Sequence, residues 1–551
     1  MSLQDVEMIF RFIGGLGMFL YGMHVMSDGL QKSVGNKVKR LMQVLTDNRF
    51  MAVLVGIAVT VILQSSSATT VMVVGFVNAG IMNLGQAVGV IMGANIGTTV
   101  TSWIVSMNEW GSFFNPDFFA PLLIGVGAFI LLFAKQDVIH QAGEILAGLG
   151  ILFVGVTFMY EAASPYRDAP VFSYAFGAMG ANPFLGIITG LVITALIQSS
   201  SASIGILQTL AMSGMVTCNS GIYIMLGQNL GTCVTALISG IGAHRTAKRA
   251  AWLHFLFNAI GILVFGVIMG VIFHFYPAFA WSYMGSVEIS AFHSIFNIVI
   301  TLLLFPFSGQ LVRLTGLLVQ KKPPEQKPEK TGISLRHLDE RILENPAFAV
   351  ENTVAEVIRM GQITYESVKL SFDACLFNSM EKVEMVYQYE KDIDQMAREI
   401  SDYLVKISGL SLSEKQHQTI NHLFYTVSDI ERIGDHAENL AELAQIKVKN
   451  HIEFSPAAGK ELQGLMEYVT NSVVYAFRAR QNPEMAYVTK AREYEEQVDY
   501  VESELREKHI ERLAASLCTP RSGVVFLDIL TNLERIADHA DNIASYVQNE
   551  L

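Results

Sequence analysis

The sequence predicts an all-α protein in two parts. The first is a polytopic membrane domain of two inverted repeats, each with a re-entrant helical hairpin. The second is a cytoplasmic pair of three-helix bundles. Three observations predict this. Charge is split along the chain: of 551 residues only 16% are charged and 51% are hydrophobic, against about 25% charged in a typical soluble chain. Mean hydropathy is +0.38. Residues 1–320 hold 12 Lys/Arg and 11 Asp/Glu, whereas residues 321–551 hold 26 and 39. A shift of 134 positions aligns one part of the apolar half with another. Shifts of 103 and 105 do the same in the acidic half.

A spanning helix needs roughly 20 apolar residues. Taken in order, spans are expected at 8–30, 84–107, 118–134, 141–163, 217–241, 251–274 and 289–312. The stretches 50–79 and 184–213 differ. Each runs about 30 residues with a polar cluster at its middle: Gln64-Ser65-Ser66-Ser67, then Gln198-Ser199-Ser200-Ser201. A single span would put four polar side chains at the bilayer centre. Two half-helices meeting at the cluster put it at a hairpin tip, where irregular backbone is tolerated if it is buried in protein or lines a cavity.

The repeat is extensive. Over 60–104 a shift of 134 gives 14 identities in 45 positions. Gln64 to Ala68 fall on Gln198 to Ala202, and Gly93, Asn95, Gly97 and Thr98 on Gly227, Asn229, Gly231 and Thr232. Upstream, with a shift of 133, Gly15, Gly17 and Gly22 match Gly148, Gly150 and Gly155, and Asp28 matches Glu161. Repeat one covers about 8–107 and repeat two about 141–241. One extra span, 118–134, lies between them, so the second repeat enters from the opposite face. Basic residues test this. Lys32, Lys37, Lys39, Arg40 and Arg49, then Arg245, Lys248 and Arg249, then Arg313, Lys321 and Lys322, all fall inside together. Loops 108–117 and 275–288 then fall outside, with acidic residues and no Lys or Arg, as the positive-inside rule requires. The N-terminus is external and the acidic half internal. Hairpins crossing as full spans would instead move loop 108–117 inside. Met1 to Glu7 carry no basic run, so no cleaved signal peptide is expected.

No Asp, Glu, Lys or Arg occurs from Phe50 to Asn108 or from Ala169 to His244. A site in these cores must use hydroxyls, amides, backbone groups and helix ends. Half-helix N-termini favour an oxyanion. Gln, Asn, Ser and Thr oxygens and freed carbonyls suit Na+. Small polar residues also serve tight helix crossings, but duplication with Gln at both hairpin centres favours a site. Thr69 and Ser203 belong to the same clusters. Asn95 with Thr98, and Asn229 with Thr232, are expected to contribute, since a mid-membrane Asn is costly without a purpose. Asp28 and Glu161 read as helix caps or interface markers.

The paired Gln-Ser-Ser-Ser motifs, the inverted repeats and the Asn-x-Gly-Thr segments resemble the type II Na+/phosphate cotransporter family over roughly residues 8–320. The resemblance implies sodium-coupled transport of inorganic phosphate, with the site at Gln64 to Ser67 and Gln198 to Ser201. The short, Cys-free stretch 164–183 is similar to the bacterial branch and implies a bacterial inner membrane.

Residues 320–334, rich in Lys, Glu and Pro, form a linker after a transmembrane domain of 1–319. Residues 335–551 read as helical. Glu431-Arg432-Ile433-Gly434-Asp435-His436 matches Glu534-Arg535-Ile536-Ala537-Asp538-His539, and Glu390 with Asp394 matches Glu495 with Asp499. Residues four apart share a helix face, so each pair is a carboxylate cluster calling for a proton, a metal or a salt-bridge partner. The bland reading is a solvated acidic face with Arg432 and Arg535 as partners; duplication beside His436 and His539 favours metal. The pattern resembles PhoU over roughly 340–551, which implies metal binding and a regulatory role in phosphate uptake. Hard oxygen ligands favour Mg, Mn or Fe, and the histidines leave Zn open.

The expected partners are phosphate, sodium and the lipid bilayer. A homo-oligomer is compatible with the sequence. The acidic half excludes nucleic acid, whose phosphates it repels. Cys218, Cys233, Cys375 and Cys518 lack metal spacing and read as free thiols. No nucleophile–base set or nucleotide loop marks an enzyme. Two rival readings remain: an exporter of phosphate or another oxyanion, and a membrane-anchored phosphate sensor that does not cycle.

Overall fold

The computed structural model describes residues 3–34, 48–110, 116–319, 335 and 338–551. Lys37, Lys39, Arg40, Lys321, Lys322, the whole linker 320–334 and part of loop 108–117 lie outside them. The chain divides into two compact units. The first holds the apolar half together with Asp339–Ala347, and the second holds Phe348–Leu551.

In the first unit, repeat one comprises α1 (Leu3–Val34), α2 (Arg49–Leu63), α3 (Ser66–Asn78) and α4 (Leu84–Ser106). After α5 (Pro116–Phe133), repeat two comprises α6 (Asp137–Ala163), α7 (Pro170–Ala181), α8 (Pro183–Ile197), α9 (Ser200–Met212) and α10 (Cys218–Ser239). The helices α11 (Arg245–Phe275), α12 (Ser286–Leu304) and α13 (Ser308–Leu318) follow. All seven expected spans are helical, and six helical stretches among the described residues are long and apolar enough to cross a membrane. Helix α7 is not legible in the apolar pattern. It meets α8 at a bend of 113°, where the Asn182 side chain accepts the Phe184 N–H and caps α8.

Both polar-centred stretches double back. Thr60 donates to Thr69 Oγ1 at 3.0 Å, and Thr194 donates to Ser203 Oγ at 2.8 Å. Residues nine apart lie ~13.5 Å apart along an unbroken helix. Each stretch is therefore a hairpin.

The two-fold relation between the repeats shows in backbone contacts that only glycine permits. A Cβ on Gly22 would stand 2.4 Å from Leu152 N, and one on Gly155 2.4 Å from Phe19 N. On Gly148 it would stand 2.4 Å from Met26 N. Helices α1 and α6 thus cross reciprocally through matched glycines. Each hairpin packs on its following helix in the same way. A Cβ on Gly93 would meet Val53 O at 2.0 Å, and one on Gly227 would meet Ile187 O at 1.9 Å.

The ends of the spans sort by charge. At one end Arg49 donates to Ser308 Oγ (2.8 Å), and Arg249 to the Val312 carbonyl (2.7 Å). At the other, Glu109 Oε2 accepts the Ser286 N–H at 2.7 Å, tying the loop after α4 to the start of α12. Two basic residues outside those groups, Arg11 and Arg167, lie towards the second end; Arg11 pairs with Glu161 at 2.9 Å. Arg167 follows α6 at the Glu109 end, where its guanidinium lies 5.5 Å from the Tyr283 ring centroid.

The boundary expected at 335 also moves. Residues Asp339–Ala347 fold against the first unit. Asn78 at the end of α3 donates to Asp339 Oδ2 at 2.6 Å, and Ile342 is fully buried against Gly75. An apolar side chain seated on a helix outweighs the local change of composition from which a linker is read.

The second unit has six helices: α14 (Pro346–Phe377), α15 (Met380–Ser408), α16 (Glu414–Lys449), α17 (Pro456–Gln481), α18 (Met485–Ala514) and α19 (Pro520–Glu550). They form the two expected three-helix sets. Asn378, His451 and Ser516 take positive φ (56°, 52° and 57°) just past α14, α16 and α18, the left-handed termination usual at helix C-termini. Among the described residues all four cysteines are free thiols.

Candidate functional site

The hairpin tips are built alike. Gln64 and Gln198 sit in the left-handed region (φ 51° and 56°), which ends α2 and α8. The next residues, Ser65 and Ser199, are extended and cap the following half-helices. Ala68 N–H donates to Ser65 Oγ at 3.1 Å, and Ala202 N–H to Ser199 Oγ at 3.2 Å. The chain thus breaks at Gln and restarts at Ser because a Ser N-cap replaces the carbonyl that the break removes. Ser66 and Ser67, and Ser200 and Ser201, occupy the first turns of α3 and α9, whose N–H groups lie outside the intrahelical ladder. All four side chains are buried.

Ser66 Oγ and Ser200 Oγ lie 3.5 Å apart, 134 residues apart in sequence. Two helix N-termini therefore meet at one buried point inside an uncharged shell. Such a point favours an anion electrostatically, with serine hydroxyls as further donors.

The two tips are not equivalent. Gln64 is buried and accepts the Thr101 hydroxyl at 2.9 Å, while its amide donates to the Val61 carbonyl at 2.6 Å. Gln198 is exposed. Ser27 of α1 donates to the Leu63 carbonyl at 2.8 Å, satisfying a backbone acceptor freed where α2 breaks.

The Asn-x-Gly-Thr segments lie in α4 and α10. Asn95 donates to the Ile91 carbonyl (3.0 Å), and Asn229 to the Met225 carbonyl (3.1 Å). Each amide oxygen faces an imidazole. His254 Nε2 lies 3.3 Å from Asn95 Oδ1, and His293 Nε2 lies 3.3 Å from Asn229 Oδ1. Thr98 donates to Ala94 O and Thr232 to Asn229 O within their own helices. The asparagines expected beside the serine clusters are thus held by histidines of α11 and α12. Those histidines escape a comparison confined to the two repeats. A signal exists, since His254-x-x-Phe257-Asn258 and His293-x-x-Phe296-Asn297 are the same motif 39 residues apart.

Asp28 and Glu161 have side-chain partners of their own. Glu161 pairs with Arg11 at 2.9 Å, and Asp28 lies 3.6 Å from His24.

In the second unit, Glu390, Asp394 and Asp435 converge, as do Glu495, Asp499 and Asp538, each trio placing carboxylate oxygens within 4.8 Å of one another. Glu431 and Glu534 lie outside these compact trios. Burial, then the neighbouring Asp394, pushes the Glu390 carboxyl up to about 7. Burial, then Asp499, does the same to Glu495. Carboxylates so disposed fit a hard cation. The histidines do not join them. His436 Nδ1 pairs with Asn532 Oδ1 (2.8 Å) and His539 Nδ1 with Asp429 Oδ1 (2.7 Å), and the two rings stack with centroids 5.7 Å apart. Adjacency in sequence turned each ring away from the carboxylate face, towards the α16–α19 contact. The oxygen-only trios no longer point towards zinc.

Residues 18–161 and 170–297 match the family described as Na+/Pi-cotransporter, and residues 357–444 and 462–547 match the PhoU domain. YjbB of Escherichia coli (strain K12), provisionally named an inorganic phosphate export protein, is 22% identical over 536 residues, covering 96% of this chain and 95% of its own. YqeW of Bacillus subtilis (strain 168), named as uncharacterised, is 29% identical over 304 residues, 55% of this chain and 96% of its own. Sodium-dependent phosphate transport protein 2A of Rattus norvegicus is 35% identical over 101 residues, 18% of this chain and 16% of its own.

Proposed function

Since the chain belongs to the Na+/Pi-cotransporter family and carries a PhoU domain, we propose that it moves inorganic phosphate across the plasma membrane, coupled to sodium and controlled by the fused domain. The observation that carries this reading is the 3.5 Å approach of Ser66 and Ser200 at the meeting of two half-helix N-termini. In the proposal, phosphate oxygens take the N–H and hydroxyl donors of Ser65 to Ser67 and Ser199 to Ser201. Sodium ions take the oxygens of Gln64, Gln198, Thr69 and Ser203. They neutralise a desolvated anion that has no Arg or Lys within either repeat core. The chain does no covalent chemistry. The PhoU unit lies in the cytoplasm and holds a divalent or ferric ion in each trio, through which it regulates the membrane unit.

A second reading, net export of phosphate, is favoured by the name that YjbB carries. Both readings use one site and differ in the gradient that drives it. Labelled phosphate flux in proteoliposomes, with sodium imposed inward, outward or omitted, tests them. Sodium-driven movement along the imposed gradient supports coupled transport. Outward flux indifferent to sodium supports an uncoupled exporter. Phosphate binding without flux would replace both with a sensor.

A further inference from the structure

We infer that Asn258 and Asn297, on the two His-x-x-Phe-Asn motifs, each supply an amide oxygen to a sodium ion, forming two pseudo-symmetric cation positions apart from the serine tips. This rests on the sodium-coupled reading for its choice of cation.

The hydrogen bonds decide which atoms are free. Asn95 gives its amide N–H to the Ile91 carbonyl, so the atom facing His254 Nε2 is an oxygen. His254 must therefore donate from Nε2, and its Nδ1 carries a lone pair. The same holds for His293 opposite Asn229. Four residues on, Asn258 donates to the His254 carbonyl (3.1 Å) and towards Cys233 Sγ (3.4 Å). Asn297 donates to the His293 carbonyl (2.9 Å). Both amide nitrogens are thereby engaged, and Oδ1 of each is left over.

Both asparagines are 0% exposed, and both histidines 1%. Asn258 Oδ1, Asn297 Oδ1, His254 Nδ1 and His293 Nδ1 are buried with no partner, as are Gln208 Oε1 and Gln228 Oε1. Among the described residues of the first unit, no buried side-chain N–H lacks a partner, and Thr301 Oγ1, four residues past Asn297, is the one buried hydroxyl without one. The deficit is mainly of donors for acceptors. A water could satisfy two acceptors, and Thr301 alone offers an unused donor for its oxygen. A cation satisfies acceptors alone, and in membrane transporters amide and carbonyl oxygens coordinate Na+. Burying such acceptors without a partner is costly, and here the cost is incurred twice in matching places. His254 and His293 are positioning residues. By fixing Asn95 and Asn229 they tie α11 to α4 and α12 to α10.

The test uses the full chain in detergent and in proteoliposomes. Sodium chloride is titrated against choline chloride, and the sodium concentration giving half the rise in unfolding temperature is read. Asn258→Leu and Asn297→Leu keep the volume and remove the oxygen. Each should raise that concentration by about tenfold and shift sodium activation of phosphate flux by a similar factor, with half-saturating phosphate unchanged at saturating sodium. Asn258→Asp and Asn297→Asp keep an oxygen and add charge, and should lower the sodium requirement. Curves that overlay wild type in all four variants overturn the inference. So does lost flux without a shift in sodium dependence, which marks a structural role. If the Leu variants do not fold, the Asp pair decides alone. Sodium-independent wild-type flux together with a sodium melting shift lost in the Leu variants would remove the transport reading and leave the cation positions. Sodium-dependent flux with unshifted variants would do the reverse.

Discussion

At the scale of single residues, the site depends on Ser66 and Ser200 being small donors at a point that two chain segments share. Replacing either with Leu removes a hydroxyl and fills the gap between tips 3.5 Å apart. Sodium-dependent phosphate flux should fall by more than about tenfold, a loss above ~1.4 kcal/mol, with insertion and monodispersity retained. Near-normal flux in both variants would reduce the clusters to packing. The acidic trios make a second residue-scale prediction. A carboxyl whose folded pKa is about 7, as for Glu390 and Glu495, instead of the ordinary 4.5, holds its proton more tightly when folded. In the absence of metal, stability is therefore lost as pH rises from about 4.5 to about 7, and the loss is complete above that. The unfolding temperature of the chelator-treated chain should fall across this window. Glu390→Gln with Glu495→Gln should flatten the profile, and so should added Mn2+ or Fe3+. An unchanged profile in the double variant would show that the trios are solvated surface.

At the scale of elements, the repeats are held by close helix approaches. Gly227 admits the Ile187 carbonyl where a Cβ would stand 1.9 Å away. Gly227→Ala must therefore push α8 from α10, at a cost of about 1–3 kcal/mol. The unfolding temperature in detergent should drop, and Gly93→Ala should drop it comparably, since its clash with Val53 O is equivalent. A change in only one of the two would show that the repeats are not mechanically alike. The hairpins were legible because Gln-Ser-Ser-Ser recurs at a fixed shift. Helix α7 was not, because it is short and its apolar run continues into α8. Only the cap at Asn182 and the 113° bend separate them.

At the scale of the whole molecule, the membrane unit takes a segment from the far side of the linker. Ile342 is buried on α3 beside Gly75, and Asp339 holds Asn78. A chain ending at Ala347 should thus unfold at a higher temperature than one ending at Gln320, measured by fluorescence-detected size exclusion after heating. Equal stability would show that the segment adds nothing. The arrangement of the spans makes a second prediction. Asn108 and Ala243 lie at opposite ends, so in a Cys-free background Asn108→Cys should react with impermeant maleimide from outside and Ala243→Cys should not. The opposite pattern would overturn the proposed orientation.

Sequence alone determined the features that depend on repetition and on transfer from water. These are the two units, the spans, the hairpin clusters with their glycines, and the doubled carboxylate helices. All are local in the chain or recur at a constant shift, so pattern and hydropathy carry them. Tertiary structure decided which groups face one another. It brought Ser66 to Ser200 across 134 residues, gave Asn95 and Asn229 to His254 and His293, and turned His436 and His539 from the carboxylates towards each other's helices. The reason is physical. A buried polar group is satisfied by whichever partner the packed helices present, and which helix faces which is set by the summed packing of the fold.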